Sequence, residues 1–406
     1  MSDEEMLREA IAMSRGLSRR RFIRGGTAAL GALALGPTIL AACGDSKNSS
    51  SGSSGGSTSS KATSKGTGTA DNNDVYHANW TLYIDDKTPL DFEKATGLKL
   101  FYNEEYNDND EYFAKIRPEL SRGNPIKPNV ITPSFWMAAR LIGLGWLDKM
   151  PLDQIPNAKN LTPNLVKPPW DPTGEWTLPW QSGMTGIAYN TKIIGDITPT
   201  VDDMFDEKWK GKVTMLTEMR DTVGLTGLSM GVDPTKPTYD NYRPVFDRID
   251  KATQSGQIRK FTGNEYVQDL TAGNLAMCYG WSGDIAQLAL KNPNLKFAIP
   301  ATGGMYWSDT VVIPKGASKV NDAAKWINFV YDPKYAAQIT ATVQYISPVQ
   351  GVQEELRKMG GDAAALADSS LLFPDAVTKA QLKAFGTLSE TEEAKFDARF
   401  SKIQGN

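Results

Sequence analysis

Aromatic and acidic residues keep company at several places along this chain, and their pairing suggests a chemistry. Trp80, Thr81 and Tyr83 share one run. Pro133-Ser134-Phe135-Trp136, Glu218-Met219-Arg220-Asp221 and Trp281-Ser282-Gly283-Asp284 each follow an apolar stretch. Gly303-Gly304-Met305-Tyr306-Trp307-Ser308-Asp309 precedes another, Thr310 to Ile313. A carboxylate gives a primary ammonium a charge-assisted hydrogen bond. An indole face attracts the cation and covers methylenes. Carboxylates at separated points with indoles between them suit a diamine or polyamine. Taken singly, each residue has a plainer use. Trp80, Trp281 and Trp307 could be core or rim aromatics. Glu218 or Asp221 could be an acid of a helix's first turn, Asp309 a turn cap, and Ser134 an N-cap. Their joint placement at strand ends favours the cation reading.

Those positions gain meaning from the elements around them. From Val75 the chain alternates strand and helix signals. Strands are expected over 79–84, 98–102, 129–132, 186–190, 213–216, 275–279 and 310–313. Helices are expected over 89–96, with Gly97 as its stop, and from Asn109 as cap to about Arg117, with Pro118 ending it. Further helices are expected from Ser134 to Leu144, over 201–209, from Ser282, over 320–329 and 333–342, and from the capped start Ser389-Glu390-Thr391-Glu392. Such βαβ alternation implies a largely parallel sheet with flanking helices, and ligands of open α/β sheets sit outside the carboxyl ends of strands.

Composition narrows the possibilities. The chain has 406 residues, enough for two lobes, each with a core. It carries 44 basic and 47 acidic residues, a net −3. Residues 1–42 hold six Arg and four acids, so the remainder is more acidic, with 38 basic against 43 acidic residues. That balance argues against nucleic acid as a partner. With one histidine, His77, a multi-His metal site is excluded and only His77 could serve a Ser-His-Asp triad. No metal site, no cofactor and no catalytic residue is expected, and no nucleophile elbow or phosphate loop. Of the two cysteines, Cys278 lies in the apolar run Leu275-Ala276-Met277-Cys278-Tyr279 and reads as a small core hydrophobe.

The N-terminus reads as an address and an anchor. Ser18-Arg19-Arg20-Arg21-Phe22-Ile23-Arg24 precedes a weakly apolar, Gly-containing stretch from Gly25 to Ala42 that ends in Leu40-Ala41-Ala42-Cys43-Gly44. The first part resembles a twin-arginine export signal and the second a bacterial lipobox, cut before a Cys that receives a diacylglyceryl group. Two acyl chains make anchoring stable. An uncleaved membrane helix is the alternative, weakened by Gly25, Gly26, Gly31, Gly36 and Pro37. Residues 44–70 are almost wholly Ser, Gly, Thr, Lys, Ala, Asn and Asp, as in a disordered tether with a mean reach of roughly 30 Å.

From about Tyr76 to Pro348 the chain resembles the spermidine/putrescine-binding proteins of bacterial ABC importers, within the type II periplasmic binding proteins. The resemblance rests on Asn79-Trp80-Thr81-Leu82-Tyr83, Pro133-Ser134, Lys210-Gly211, Glu218-Met219-Arg220-Asp221, Trp281-Ser282-Gly283, Gly303-Gly304-Met305-Tyr306-Trp307-Ser308-Asp309 and Tyr345 before Pro348. It implies that Trp307 and Trp281 wall a ligand stem and that Asp309 binds an inner ammonium. It implies that Glu218 and Asp221 hold one end, with the family's usual Asp and Glu exchanged. Ser134, Tyr345, Trp80, Thr81 and Tyr83 match lining positions, and Trp136 stands where the family often has Tyr. The family's Asn-Trp-Thr-Glu-Tyr is broken by Leu82, which removes a carboxylate; Asp284 could supply a substitute.

The expected architecture is α/β and two-lobed, with mainly parallel sheets and the ligand cleft between lobes. The expected divisions are a signal peptide over 1–42, a lipidated Cys and tether over 43–74, one lobe over 75–182 plus 309–350, and a second over 183–308 plus 351–406. Chain crossings are expected near Gly183, near Ser308 and beyond Pro348. The expected function is an exported, lipid-anchored monomer that delivers a polyamine to ABC permease subunits in the membrane. The alternatives are the same fold with another cationic or amino-acid-like solute and, more remotely, a secreted hydrolase using Glu218 and Asp221.

Overall fold

The computed structural model describes residues 74–405. The export signal, Cys43 and the tether lie outside the described residues. Among those described, no helix is long and apolar enough to cross a membrane.

A three-stranded parallel sheet, ordered β2-β1-β3, opens the fold. It consists of β1 (Asp74–Trp80), β2 (Lys99–Tyr106) and β3 (Val130–Ile131). Helix α1 (Lys87–Thr96) stops at Gly97, whose φ of 72° lets its N–H reach Glu93 O at 2.9 Å. Helix α2 (Asn109–Leu120) is capped one residue earlier than the sequence suggests. Asp108 Oδ1 accepts from the N–H groups of Asp110 and Glu111, at 2.8 and 3.1 Å. Pro118 lies inside its last turn rather than ending it. The capping shift leaves Asn109 free for other partners. Helix α3 (Phe135–Gly143) begins after Ser134, whose side chain makes no capping bond. Strand β4 (Leu147–Asp148) lies outside this sheet and pairs antiparallel with residues 313–314 in a separate two-stranded one.

Strand β5 (Leu178–Asn190) is buried along its whole length and runs from the first sheet's neighbourhood into a second, seven-stranded sheet. The strands that follow are β6 (Val213–Leu216), β7 (Ile258–Thr262), β8 (Met277–Trp281), β9 (Leu295–Ala298), β10 (Gly304–Val311), β11 (Ile313–Pro314) and β12 (Leu382–Lys383). The second sheet is ordered β12-β10-β5-β8-β6-β7, with β9 also on β5. It is mixed rather than mainly parallel, because β5 lies antiparallel to β8, β9 and β10. The Gly-Gly-led segment 303–309, which the sequence places before a strand, forms most of β10 itself. The helix expected over 201–209 is two short 3₁₀ turns.

The main helices of the second half are α4 (Met219–Ser229), α5 (Tyr239–Gln254) and α6 (Ser282–Lys291), followed by α7 (Val320–Val330), α8 (Pro333–Val343), α9 (Val352–Met359) and α10 (Glu390–Gln404). Helices α7 and α8 pack on the first sheet's side and α9 packs on α8. Helix α10 packs on α5, joining Phe396 to Tyr242 and Phe246 in one aromatic cluster.

Bridges from Ile131 to Val312 and from Ser134 to Asp309 tie the first sheet's side to β10 and the residue after it, and three segments meet at a further crossing. Ser182 of β5 pairs with Ser308 of β10, and it also bridges Ile346 through backbone bonds of 2.9 and 2.8 Å. The regions around Gly183 and Ser308 are therefore joined to a third segment just before Pro348.

Candidate functional site

A cleft of about 610 Å³, counted to its open mouth, lies where the ends of β1, β6, β8 and β10 face one another. All twelve residues singled out from sequence border it, contributed by both sheets.

Asp309, near the end of β10, is buried. Its Oδ1 accepts from Ser134 Oγ at 2.6 Å and its Oδ2 from Tyr83 OH at 2.8 Å. A backbone bridge between Ser134 and Asp309 fixes this approach. Burial pushes the Asp309 carboxyl up to about 7, against the pull of the two hydroxyls, and the charge of Asp221 adds to the rise. Asp221, in the first turn of α4, accepts from Thr185 Oγ1 at 2.8 Å and from Trp281 Nε1 at 3.0 Å. It keeps some solvent exposure, yet the surrounding protein raises it to about 6.

Glu218 and Asp284 are the other two acids. Glu218 Oε1 accepts from the backbone N–H of Asn109 at 2.7 Å and from Asn109 Nδ2 at 2.8 Å. Its carboxyl is raised well above the ordinary range, by burial first and then by Asp108. Asp284 lies in the first turn of α6. Its Oδ2 accepts from Tyr266 OH at 2.7 Å and Asn264 Nδ2 at 2.9 Å, and its Oδ1 from Tyr345 OH at 2.7 Å. Burial raises its pKa, while these donors lower it.

The aromatics form the walls. Trp80 and Trp281 meet edge to face at 5.9 Å across the cleft. Trp307 lies against Tyr345 at 5.4 Å, and Tyr83 meets Tyr345 at 5.1 Å. Trp307 needs a glycine behind it, because a Cβ at Gly183 would come within 2.6 Å of its Cη2. Trp307 Nε1 donates to Thr185 Oγ1 at 3.1 Å, and Thr185 in turn donates to Asp221. Trp136 borders the cleft, but one face of its ring is taken by the Arg220 guanidinium at 3.6 Å. Arg220 Nη2 is bound by both carboxylate oxygens of Glu393, at 2.7 and 2.5 Å.

Leu82 is not among the bordering residues. It adopts a φ of 59° in the turn after β1, and its N–H donates to Glu104 Oε1 at 3.2 Å. The sequence misses Asn264, Phe135, Met305, Tyr306 and Phe385, which also line the cleft. It also misses Asn109, which holds Glu218. Asn264 Oδ1 is a buried acceptor without a partner.

Two other sequence readings have a structural outcome. His77 is fully buried, with Nε2 2.7 Å from Thr132 Oγ1 and Nδ1 accepting from Trp326 Nε1 at 3.0 Å. Burial drives its pKa down to about 3, so it is a neutral core side chain. Gly227-Leu228-Ser229-Met230-Gly231 does spell the G-x-S-x-G pattern, contrary to expectation. It closes helix α4 instead of joining a strand to a helix, and Ser229 Oγ donates to Thr226 O at 2.7 Å. Cys278 is buried and unbonded to another cysteine, as a core residue. Among the described residues, no group of three His, Cys, Asp or Glu is placed to hold a metal ion.

Comparison with known proteins agrees with this architecture. The family model for bacterial extracellular solute-binding proteins matches residues 90–367, more than half of the chain. The spermidine/putrescine-binding periplasmic protein of Escherichia coli K12 is 23% identical over 309 residues, covering 76% of this chain and 85% of its own length. The putrescine-binding periplasmic protein SpuD of Pseudomonas aeruginosa is 29% identical over 298 residues, covering 68% of this chain and 78% of its own. The solved spermidine/putrescine ABC transporter substrate-binding protein PotD of Streptococcus pneumoniae superposes with a TM-score of 0.66 at 22% identity, covering 82% of this chain and 98% of that one. The chain belongs to the bacterial extracellular solute-binding protein family and has the fold of the type II periplasmic binding proteins.

Proposed function

We propose that this solute-binding protein captures a short polyamine, putrescine or spermidine, and delivers it as a monomer to an ABC permease without chemical turnover. One observation carries the reading. Four acids, Glu218, Asp221, Asp284 and Asp309, border one cleft, and among the described residues none is ion-paired. Burying a carboxylate is costly, which is why these pKa values rise, and of the four only Asp221 has a cation, Arg220, pulling it down. An alkylammonium would supply the missing charge, and Trp80, Trp281 and Trp307 would cover its methylenes. The unpartnered Asn264 Oδ1 is a further acceptor for an ammonium N–H. The names of the relatives point to the same class of ligand.

Capture would proceed by closure of two lobes about the Ser182–Ser308–Ile346 crossing. Of the stretch 351–406 that the sequence reading gives to the second lobe, residues 352–359 pack on α8 and 361–366 pack on them, so this part would move with the first sheet, and the chain would rejoin the second at β12 and α10. The twin-arginine stretch and Cys43 support export and lipid anchoring on the outer face of the membrane; Cys43→Ser should release the chain from the membrane fraction.

A second reading keeps the fold and changes the solute to one bearing an acceptor or carboxylate. It rests on Arg220, which borders the cleft and whose Nη1 is buried without a hydrogen-bond partner. The test is calorimetric titration of the full chain with putrescine, spermidine, spermine and ω-amino acids at two salt concentrations. Micromolar or tighter binding of a polyamine, weakened by salt, is the expected result. A folded, ligand-free chain that binds none of the amines would end the polyamine reading.

A further inference from the structure

Asn109 occupies an unusual place between the two halves of the cleft. It is fully buried, at the first position of α2, where a side chain commonly points to solvent. Its backbone N–H and its Nδ2 both donate to Glu218 Oε1, at 2.7 and 2.8 Å. Nδ2 also reaches Ser134 Oγ at 3.0 Å, and Oδ1 accepts the Ser134 N–H at 3.0 Å. Because Ser134 Oγ accepts from Asn109, its own proton is directed to Asp309 Oδ1, at 2.6 Å. One amide therefore ties an acid beside the second sheet to an acid reached from the first. The cap of α2 is supplied by Asp108, so helix capping does not account for Asn109.

We propose that Asn109 is a positioning residue of the binding site: it fixes Glu218 and, through Ser134, Asp309 in the geometry that receives an ammonium, and it does so only when the two lobes are together. The inference rests on the polyamine reading above for its ligand. Glu218 keeps Oε2 clear of Asn109, so the acid can be held by one oxygen and present the other. In an open form the Glu218–Asn109 bonds would part. The Asn109 N–H would lose its acceptor, and the Ser134 hydroxyl its orientation.

The test compares the full chain with Asn109→Ala and Asn109→Asp by two readouts. The first is hydrogen exchange of the 107–113 backbone in the absence of amine. The second is affinity for putrescine and spermidine at pH 6 and pH 8. The expected result is exchange at least ten-fold faster and affinity at least ten-fold weaker in both variants, with melting temperatures near that of the parent. The Asp variant should lose more than the Ala variant at both pH values, because it sets a second carboxyl oxygen where an amide donated to Glu218. Unchanged exchange, or affinity within two-fold, overturns the proposal. If the parent chain binds neither amine, the polyamine reading fails separately and the exchange readout alone decides.

Discussion

Ser134 Oγ donates to Asp309 Oδ1 at 2.6 Å, although Ser134 stands at the N-cap position of α3, where its hydroxyl would ordinarily serve the helix. The helix start is left without its side-chain cap, and the serine is spent on the cleft. Asp309 is thereby held by two hydroxyls while remaining without a cationic partner among the described residues. A group so oriented and so buried is prepared for a cation.

Replacing Asp309 by Asn keeps the shape and removes the charge. The variant should fold, since Ser134 and Tyr83 can rotate their hydroxyls to an amide. Amine affinity should fall by more than ~1.5 kcal/mol, the scale of a hydrogen bond to a charged group. Calorimetric titration checks this, and unchanged affinity would remove Asp309 from the ligand's surroundings.

The pH dependence follows from the same burial. Asp309 is raised to about 7 and Asp221 to about 6, both above their unfolded values. The fold therefore binds protons that the unfolded chain releases. The stability linked to these two groups is full below about pH 4 and is lost as pH rises through 6 and 7. A bound ammonium reverses the preference, since it needs the carboxylates ionised. The ligand-free chain should lose melting temperature between pH 5.5 and 8, and the rise produced by spermidine should grow over the same range. A ligand-induced rise that is larger at pH 5.5 would contradict the assignment of these acids.

Trp307 does two jobs that substitution can separate. Its ring walls the cleft, and its Nε1 sets the Thr185 hydroxyl that donates to Asp221. Trp307→Ala should cost binding about 1 kcal/mol or more through lost ring contact. Trp307→Phe should retain part of that loss and release Thr185. Quenching of tryptophan fluorescence on titration follows both variants. Normal affinity in a folded Trp307→Ala chain would contradict the wall.

The strand-end rule made part of the cleft legible, because it selects Glu218, Asp221, Trp281 and Asp284 without knowledge of packing; Trp80, inside an expected strand, and Asp309, before one, come from the recurring pairing of aromatics with acids. Other residues carried no such signal. Asn109 looks like a helix cap, and only the competing cap at Asp108 shows that it is not. Phe385 reaches the cleft from a segment far along the chain, which no local spacing encodes. Helix α5 has an apolar period at Tyr242, Val245, Phe246 and Ile249, all fully buried, but Pro244 interrupts its pattern. Leu82 reads as a lost ligand carboxylate. In the structure it stands in a left-handed turn and is not among the residues that border the cleft.

Gly263 supplies a test of closure that touches no acid. It follows β7 at the rim of the cleft, where Asn264 N–H donates to Asn107 Oδ1 at 3.3 Å and Asn107 Nδ2 to Glu265 Oε1 at 3.1 Å. A Cβ at Gly263 would lie 2.5 Å from the backbone oxygen of Asn107, which belongs to the opposite side. The backbone of Gly263 is not left-handed, so alanine brings no conformational strain of its own. Gly263→Ala should thus oppose the joined lobes, because the methyl group would meet a backbone atom that cannot rotate away. Amine affinity should fall at least ten-fold, mainly through faster dissociation, because encounter with the open cleft is unaffected. Stopped-flow fluorescence separates the two rates. A parental dissociation rate in Gly263→Ala would mean that the rim relaxes around the methyl group and that closure does not depend on this contact.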